Sequence, residues 1–442
     1  MRSRPFFVCF ALALSAAATP AAAQDPLGVR LTLEEAQRRA IEASHRLAEA
    51  RAREAAAQAA VAARAAADLP LVSVLGGYTR TNHVVEFTVP SPIGPPRVLY
   101  PDVPDNYRTR LDLQWPIYTG GRTDALERAS RAEAAAVSAE AAVARADLQL
   151  EVARAFWAVV TARATTAVLE QGVGRAQAHV MEVRERFNAG LVPPNEVASA
   201  EAQESRARML LIEARNQRDV SLADLSRLAG LNPAQPIEPE AALDAPALLV
   251  SVSDALLAEA RGSRNERRAM ERRIEAAEEQ QEAAAGARRP TVAVAGGVDY
   301  ARPNPRIFPR RDAWKESWDV GVNVGWTLWD GGRAAADVSA AANLASAARE
   351  RLAEFDSVLA VEMRQRALDI ESGRAAIAAA DDAVRAATEA RRVVAERYRA
   401  GVATQTEVLD AEFALLQSEL DRTRALAGVR LAEARLARAL GR

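Results

Sequence analysis

The chain has 442 residues and a formal net charge of −2 at pH 7, and 49% of its residues are hydrophobic while only 5% are aromatic. Much of the hydrophobic content is alanine, which buries little area, so the composition disfavours one thick globular core and favours long helices that pack closely into thin layers or tubes. The nearly balanced charge gives no electrostatic footprint for nucleic acid, and we expect no nucleic-acid partner.

Residues 1–23 have the three-part layout of a secretory signal peptide. Arg2 and Arg4 precede an apolar run, and small residues continue up to Ala23. The only cysteine, Cys9, lies inside the apolar run, so we expect the exported chain to have no thiol, disulfide or cysteine metal site. No later run approaches the roughly 20 apolar residues that a membrane-spanning helix requires, so any entry into a membrane would use strands.

The first half, residues 24–230, predicts helices on either side of a β-hairpin. Thr32 and Glu35 have capping-box spacing and begin a helix that we predict to run to residue 68. A hairpin follows over 70–118, and six prolines between residues 90 and 104 predict a loop between its strands. Proline-free residues 123–189 predict a helix about 100 Å long, and a return helix is predicted over 195–229.

The second half repeats this order after a proline-rich connector over 231–250. For residues 251–442 we predict a helix, a β-hairpin over 290–329, a long helix over 334–400 and a last helix over 404–440. RYRAGVATQTEVLDAE at 397–412 is a near copy of RFNAGLVPPNEVASAE at 186–201, 211 residues upstream. Trp115 and Trp326 keep that spacing, whereas Pro70 and Pro290 are 220 residues apart, so the difference in length falls in the loop between strands. The pattern predicts an internal duplication.

The four predicted strands alternate apolar with polar or small residues. Val292, Val294 and Val298 alternate with Thr291, Ala293 and other small residues, and the other strands follow the same period of two. Strands of about ten residues with one apolar face match those of outer-membrane barrels. A soluble antiparallel sheet with one buried face fits the alternation equally well. In the membrane alternative, four strands cannot close a barrel, so several chains must join.

Aromatic residues in or beside the strands are expected at the two interfaces of a bilayer. The residues that we assign to this role are Trp115, Tyr118, Trp318, Trp326 and Trp329.

Each half contains a helical hairpin with a tight turn. Gly190 and Gly401 occupy positions where a helix needs a left-handed C-terminal residue, and Pro193 and Pro194 suit the start of the next helix. Large residues at coiled-coil spacing begin at Leu409, which favours side-by-side packing of hairpins around a ring. A self-contained antiparallel bundle or a filament-forming coiled coil remains open as an alternative.

With the two turn segments and the related segments WPIYTGGR and WTLWDGGR, the chain resembles the TolC-like outer-membrane efflux proteins over essentially its whole mature length. The resemblance implies an α+β membrane protein and a homotrimer. In that trimer a 12-stranded β-barrel, four strands per chain, continues as a 12-helix α-helical barrel across the periplasm. It also implies an exit duct of a tripartite efflux or type I secretion system, which works with an inner-membrane pump and a periplasmic adaptor.

The same resemblance assigns roles to residues near the two turns. The turns are expected to dock the adaptor through Gly190, Leu191, Val192, Gly401, Val402, Ala403 and Thr404. A periplasmic gate is expected at Glu196, Tyr398, Glu407 and Asp410. The alternative is that the glycines only cap helices and that the acids only solvate a helix face. Ala403 stands where the best-known relatives have a gate-locking arginine, so a salt bridge from this position to Glu196 cannot form.

Catalytic motifs are not found. The three histidines, His45, His83 and His179, share no spacing, and the sequence has no phosphate-binding glycine loop, nucleophile elbow or zinc motif. We therefore expect no enzymatic activity, no cofactor and no metal site. The competing function is that of an exported structural or adhesive coiled-coil protein without a pore. The cargo of a duct is not specified by the sequence.

Overall fold

The structure is a computed structural model that describes residues 29–232, 236–249 and 253–442. The predicted signal peptide, residues 1–23 with Cys9, lies outside the described residues.

The described part of the first half, from residue 29 onward, contains four α-helices and five strands. In chain order they are β1 (Val29–Leu31), α1 (Leu33–Ala43), α2 (His45–Ala65), β2 (Leu71–Arg80), β3 (Phe87–Ser91), β4 (Gly94–Tyr100), β5 (Asp105–Tyr118), α3 (Arg122–Asn188) and α4 (Pro194–Leu228). The single helix predicted over 32–68 is wrong, because Ser44 is extended and its hydroxyl caps α2 by accepting from the Leu47 amide at 3.3 Å. The proline-rich segment is also more than a loop, since it contains the β3–β4 hairpin.

The second half has the same order of long elements. They are β6 (Ile237–Pro239), α5 (Asp254–Ser263), α6 (Asn265–Gly286), β7 (Thr291–Arg302), β8 (Lys315–Gly325), α7 (Arg333–Arg399) and α8 (Gln405–Ala439). Its first predicted helix is again two helices, here divided at Arg264. The last strand ends earlier than its alternating pattern predicts, so Trp326 and Trp329 follow it. Both long helices, α3 and α7, have 67 residues, and both return helices, α4 and α8, have 35.

The main sheet has four antiparallel strands in the order β2-β5-β7-β8. Its register places apolar residues side by side, as in the row Val74, Leu111, Val298 and Trp318. Arg110 and Asp299 form a neighbouring pair on the opposite face. Within the described residues, β2 and β8 pair on one side only, so the sheet has two open edges.

Helix α3 lies at the centre of the helical part and packs against α2, α4, α6 and α8. Its middle contributes Phe156 and Val152 to the largest core cluster, together with Leu225 of α4. Two equivalent contacts hold the ends of the return helices: Gly230 lies against Ala43, and Gly441 lies against Ser263. An added Cβ would be 2.5 Å from Ala43 Cβ at the first site and 2.7 Å from the Ser263 carbonyl oxygen at the second, so neither glycine has space for a side chain.

The proline-rich connector is fastened to α8. The buried Arg430 donates to the carbonyl oxygens of Leu243 and Ala245 and pairs with Glu433 at 2.7 Å. Glu433 in turn accepts from the Leu248 amide at 2.8 Å. The connector is therefore held to α8 by Arg430 and Glu433, and to the first half by the pairing of β6 with β1.

Among the described residues, α3 alone is long and apolar enough to cross a membrane, with an 18-residue stretch of mean hydropathy 1.2 that is half buried. This qualifies the expectation that no later run approaches a spanning length. Core helices of soluble proteins satisfy the same criterion, so one such stretch is weak evidence for a spanning helix.

Candidate functional site: the hairpin tips and the strand sheet

The two hairpin tips, residues 190–193 and 401–404, have the same backbone geometry. Gly190 has φ of 71° and Gly401 has φ of 74°, the left-handed conformation that ends a helix. The amides of Leu191 and Val402 bond back to the carbonyls of Arg186 and Arg397, each at 2.9 Å. The turns are thus formed by backbone hydrogen bonds, which leaves the side chains at the tips available for other contacts.

Exposure separates the predicted docking residues into two groups. Leu191 is 72% exposed and Val402 is 62% exposed, so both present apolar surface to solvent. Val192 instead packs against the cluster of Val180, Val183 and Ala200. Thr404 is exposed, but its hydroxyl is occupied in capping α8, and Ala403 is half-buried. Leu191 and Val402 are therefore the apolar side chains at the tips that a partner can reach.

Tyr398 joins the two hairpins close to the tips. Its side chain is buried and its hydroxyl is 3.4 Å from Glu196 Oε2. The Arg186 guanidinium lies 4.3 Å from the Tyr398 ring centroid and donates to the Tyr398 carbonyl at 3.1 Å. Gln405, also buried, donates to the Glu196 carbonyl at 2.7 Å. Burial and, secondly, the Glu196 carboxylate raise the pKa of Tyr398.

The tip of one hairpin is held to the other by Tyr398 and Gln405, with no salt bridge from residue 403 to Glu196. Arg186 and Gln405 were missed from the sequence because both act across about 200 residues of chain. Their nearness to Gly190 and Gly401 in the two copies was the signal that could have found them.

The two remaining predicted gate acids have different surroundings. Glu407 forms a capping box with Thr404 and lies 3.6 Å from Arg397, so its carboxylate supports the start of α8. Asp410 is exposed, and its carboxylate has no hydrogen bond or ion pair within the described part of the chain. Asp410 is thus the acid of this pair that is free to act on an ion.

His179 is a buried histidine behind Tyr398 that the sequence did not single out. It is 8% exposed, its ring centroid is 5.9 Å from that of Tyr398, and its Nε2 has no hydrogen-bond partner within the described chain. Burial lowers the pKa of His179, while the carboxylates of Glu182 and Glu412 oppose this.

The aromatic residues predicted for the bilayer interfaces lie at two levels of the sheet. Trp115, Tyr118, Trp326 and Trp329 are near the helical end and are exposed, whereas Trp318 is nearer the far end. A second aromatic group, missed from the sequence as a cluster, lies at the far end and consists of Tyr78, Tyr107, Tyr300 and Trp314.

Two of the tryptophans also hold the junction between sheet and helices. The Trp115 indole donates to the Asp68 carbonyl at 3.2 Å, and the Trp326 indole donates to the Arg288 carbonyl at 3.0 Å. Asp68 and Arg288 each lie two residues before the proline that precedes a strand, Pro70 or Pro290. The two halves thus use the same side chain for the same contact.

The polar face of the sheet carries a charge network that sequence reasoning did not identify. Arg110 pairs with Asp299 at 2.5 Å and with Asp319 at 2.8 Å, and Arg108 pairs with Asp299 at 2.6 Å. Alternating charged residues in the strands were a usable signal, but their partners depend on the register of three strands. No described group of three or more His, Cys, Asp or Glu side chains is placed to hold a metal ion.

Solved outer-membrane proteins share this fold over most of the chain. VceC of Vibrio cholerae is 21% identical with a TM-score of 0.76, covering 92% of this chain and 96% of that one. The MtrE outer membrane channel of Neisseria gonorrhoeae is 20% identical with a TM-score of 0.75, covering 92% and 88%. CusC is 16% identical with a TM-score of 0.79, covering 93% and 92%. Identities this low show the fold alone.

The family follows from the sequence match. The model of the outer membrane efflux protein family matches residues 36–231 and 256–442, which is most of the chain. The chain therefore belongs to the outer membrane efflux protein family, and its fold is TolC-like. A comparison with curated protein sequences finds no match.

Proposed function

We propose that three copies of the chain form one passive duct, with a 12-stranded barrel in the outer membrane and a 12-helix tunnel in the periplasm. The observation that carries the proposal is the four-stranded sheet, which has one exposed apolar face and, within the described chain, two open edges. Open edges are not tolerated in lipid, and four strands are too few to close a barrel, so the edges must pair with other copies.

The spacing of aromatic levels supports a membrane position for the sheet. Tyr107 and Trp115 lie on β5 eight residues apart, which is about 26 Å along the strand. A strand tilt of 35–45° reduces this to roughly 20 Å, close to the apolar band of outer-membrane barrels, which is about 25 Å tall.

We further propose that the tips dock a periplasmic adaptor, which connects the duct to an inner-membrane pump of an efflux or type I secretion system. The exposed Leu191 and Val402 at the ends of helices about 100 Å long support this role, because they lie at the greatest distance from the sheet. The resemblance between the two halves also supports a duplicated origin, which would place six hairpins around the tunnel.

We propose that the contact between Tyr398 and Glu196 is part of the periplasmic gate. Asp410, farther along α8 from the tip, would contribute one carboxylate to an acidic ring. Three-fold symmetry would bring three Asp410 carboxylates around one axis, where they would attract cations. An exported coiled-coil protein without a pore is the alternative function, and the alternating strands disfavour it because a filament does not need them.

Planar-bilayer recording of the purified oligomer tests the duct. The wild-type protein should conduct and favour cations, and Asp410→Asn should lower the cation-to-anion permeability ratio. Asp421→Asn is the matched control, because Asp421 lies on the same helix and pairs with Arg424. Absence of conductance in every variant would disprove the duct, and an equal effect of both substitutions would remove Asp410 from the gate. Glu407 is unsuitable for this test because it caps α8.

A further inference from the structure

The segment between β7 and β8 folds back onto the polar face of the sheet. We call residues 303–310 the inner loop. Asn304 is 2% exposed, and its amide nitrogen donates to the Lys315 carbonyl at 2.9 Å and to Ser317 Oγ at 3.0 Å. Its oxygen accepts from the Arg306 amide at 2.9 Å. The start of the inner loop is therefore hydrogen-bonded to Lys315 and Ser317 at the beginning of β8.

Arg306 anchors the inner loop to the charge network of the sheet. Its guanidinium is 2.8 Å from Asp319 and donates to the Trp318 carbonyl at 3.1 Å. Asp319 is also held by Arg110, whose guanidinium bonds both of its oxygens. Because Asp319 is fixed by the sheet, the Arg306 contact positions the loop rather than only solvating a charge.

The side of the sheet that the inner loop covers follows from the register. Ser317 and Asp319 alternate with Trp318 and Val320, so they lie on the face opposite the apolar one. A cavity of about 330 Å³ remains between the loop and this face, lined by Pro303, Pro305 and Arg310 of the loop and by Gly76, Gly77 and Arg108 of the sheet. The loop therefore lies over the polar, charged face of the sheet, which is the face that lines the interior of an outer-membrane barrel.

The other end of the inner loop reaches the β3–β4 hairpin. The Arg310 guanidinium lies 4.9 Å from the Tyr100 ring centroid and bonds its hydroxyl. The inner loop is therefore tied at both ends. It also lies at the end of the sheet farthest from the helices, since β7 ends and β8 begins there.

We propose that the inner loop is a size filter at the outer mouth of the barrel and that Arg306 is the residue that sets it. This inference rests on the proposed function, because it takes the polar face to be the inside of a barrel. Three-fold symmetry brings three inner loops to the same height around one axis, where they narrow the opening. Water and small solutes pass between the loops, whereas larger molecules pass only when the Arg306–Asp319 contact breaks and the middle of a loop moves away from the axis between its two tied ends.

Cysteine labelling from the outside tests the filter. The reporter is Asn323→Cys, an exposed position on the polar face of β8 nearer the helices, in a chain whose only native cysteine is Cys9. Each variant is reconstituted in full and treated on its outer side with N-ethylmaleimide or with a maleimide on a bulky polyethylene glycol chain. The compared chains carry Arg306→Ala, Arg306→Lys or Arg311→Ala. Arg311 lies just after the inner loop, and its side chain has no ion pair with any described residue.

Arg306→Ala should speed labelling by the bulky reagent about tenfold, the population shift expected when a charge-assisted contact is lost, and should leave the small reagent unaffected. Arg306→Lys should give an intermediate rate, and Arg311→Ala should match the parent. Ile93→Cys, at the exposed β3–β4 turn, should react equally with the bulky reagent in every background, which verifies reach and folding.

Two results would overturn the filter: an unchanged bulky-reagent rate in Arg306→Ala, or an equal rise in Arg311→Ala. A third result concerns the duct. If N-ethylmaleimide does not react with Asn323→Cys in the assembled protein, the polar face is not a water-filled interior, and the duct fails together with the filter.

Discussion

At the scale of single residues, the contact between the hairpins depends on side chains that are far apart in sequence. Glu196 and Tyr398 were expected from family resemblance, and they lie within hydrogen-bond distance at 3.4 Å. Gln405 and His179 were not expected, since nothing in their local sequence distinguishes them from other helical polar residues. The Gln405 side chain makes the shorter of the two hydrogen bonds to Glu196, at 2.7 Å. It donates to the backbone carbonyl of Glu196, so this bond does not depend on which side chain residue 196 carries.

His179 predicts a pH dependence of stability. Its pKa in the folded chain is below the ordinary value of 6.5 because burial disfavours the charged ring. As pH falls through 6.5, the unfolded chain binds this proton before the folded chain does, so the free energy of unfolding falls with pH. Above that pH the histidine contributes no slope.

The measurement is the thermal midpoint of the oligomer in detergent between pH 8 and pH 5. The slope from His179 should be at most about 1.4 kcal/mol per pH unit per chain, and His179→Leu should remove it. His45→Leu, at an exposed histidine of α2, is the control and should leave the profile unchanged. A wild-type profile that His179→Leu does not flatten would contradict the prediction.

At the scale of elements, the turns were easier to predict than the breaks. Glycine at a left-handed position is a local signal that both tips follow, and proline at the start of a helix is one that the first tip follows. The division at Ser44 has a local signal that was missed, because serine is a preferred N-cap residue. The division at Arg264 has none, since Arg264 is buried there and donates to the Ala439 carbonyl at the end of α8. The β3–β4 hairpin was missed because prolines disfavour strands, although an isolated two-stranded ribbon tolerates them where no ladder bond is needed.

The Gly401 tip gives a prediction about docking. A Cβ at residue 401 would meet no atom within 4 Å, so a side chain there has space to project from the tip, although the φ of 74° makes any residue other than glycine strain the turn. Gly401→Arg should abolish export while the oligomer still assembles, because a bulky charge would stand where the proposed adaptor packs. Gly401→Asn should retain export, since asparagine accepts the left-handed backbone and is small.

The check is survival of a deletion strain that carries each variant, under compounds against which the wild-type gene protects. Oligomer content is measured in the same membranes. Export by Gly401→Arg at the wild-type level would remove the docking role of the tip.

At the scale of the whole molecule, the register of the sheet predicts how neighbouring chains join. The pairs Val72–Leu113 and Val292–Val324 are equivalent in the two halves, so the proposed duplication preserves register within each hairpin. By the same equivalence, β5 corresponds to β8 and β7 corresponds to β2, so the β5–β7 pairing predicts how β8 pairs with β2 of the next chain. Arg110 of β5 corresponds to Gly321, 211 residues later, and Asp299 of β7 corresponds to Thr79, 220 residues earlier. Because Arg110 pairs with Asp299, Gly321 should lie opposite Thr79 of the neighbouring chain.

A disulfide between chains tests this register. Thr79→Cys with Gly321→Cys should form covalent oligomers on oxidation, because cysteines that face each other across strands can meet disulfide geometry. Thr79→Cys with Gly325→Cys is the control, displaced by about 13 Å along β8, which is beyond disulfide reach. Equal cross-linking in both pairs, or cross-linking in the control alone, would contradict the predicted register. Non-reducing gel electrophoresis of membranes distinguishes these outcomes.

The sequence by itself determined the order of the long elements and the two left-handed turns, because periodicity, proline positions and glycine caps are local properties of the chain. The class came from the resemblance of its turn and junction segments to a known family. The tertiary structure decided what lies against what. Arg306 meeting Asp319, Gln405 meeting Glu196 and His179 lying behind Tyr398 all depend on contacts between distant segments. The physical reason is that hydrogen bonds and burial across elements are set by strand register and helix packing, to which no single stretch of sequence has access.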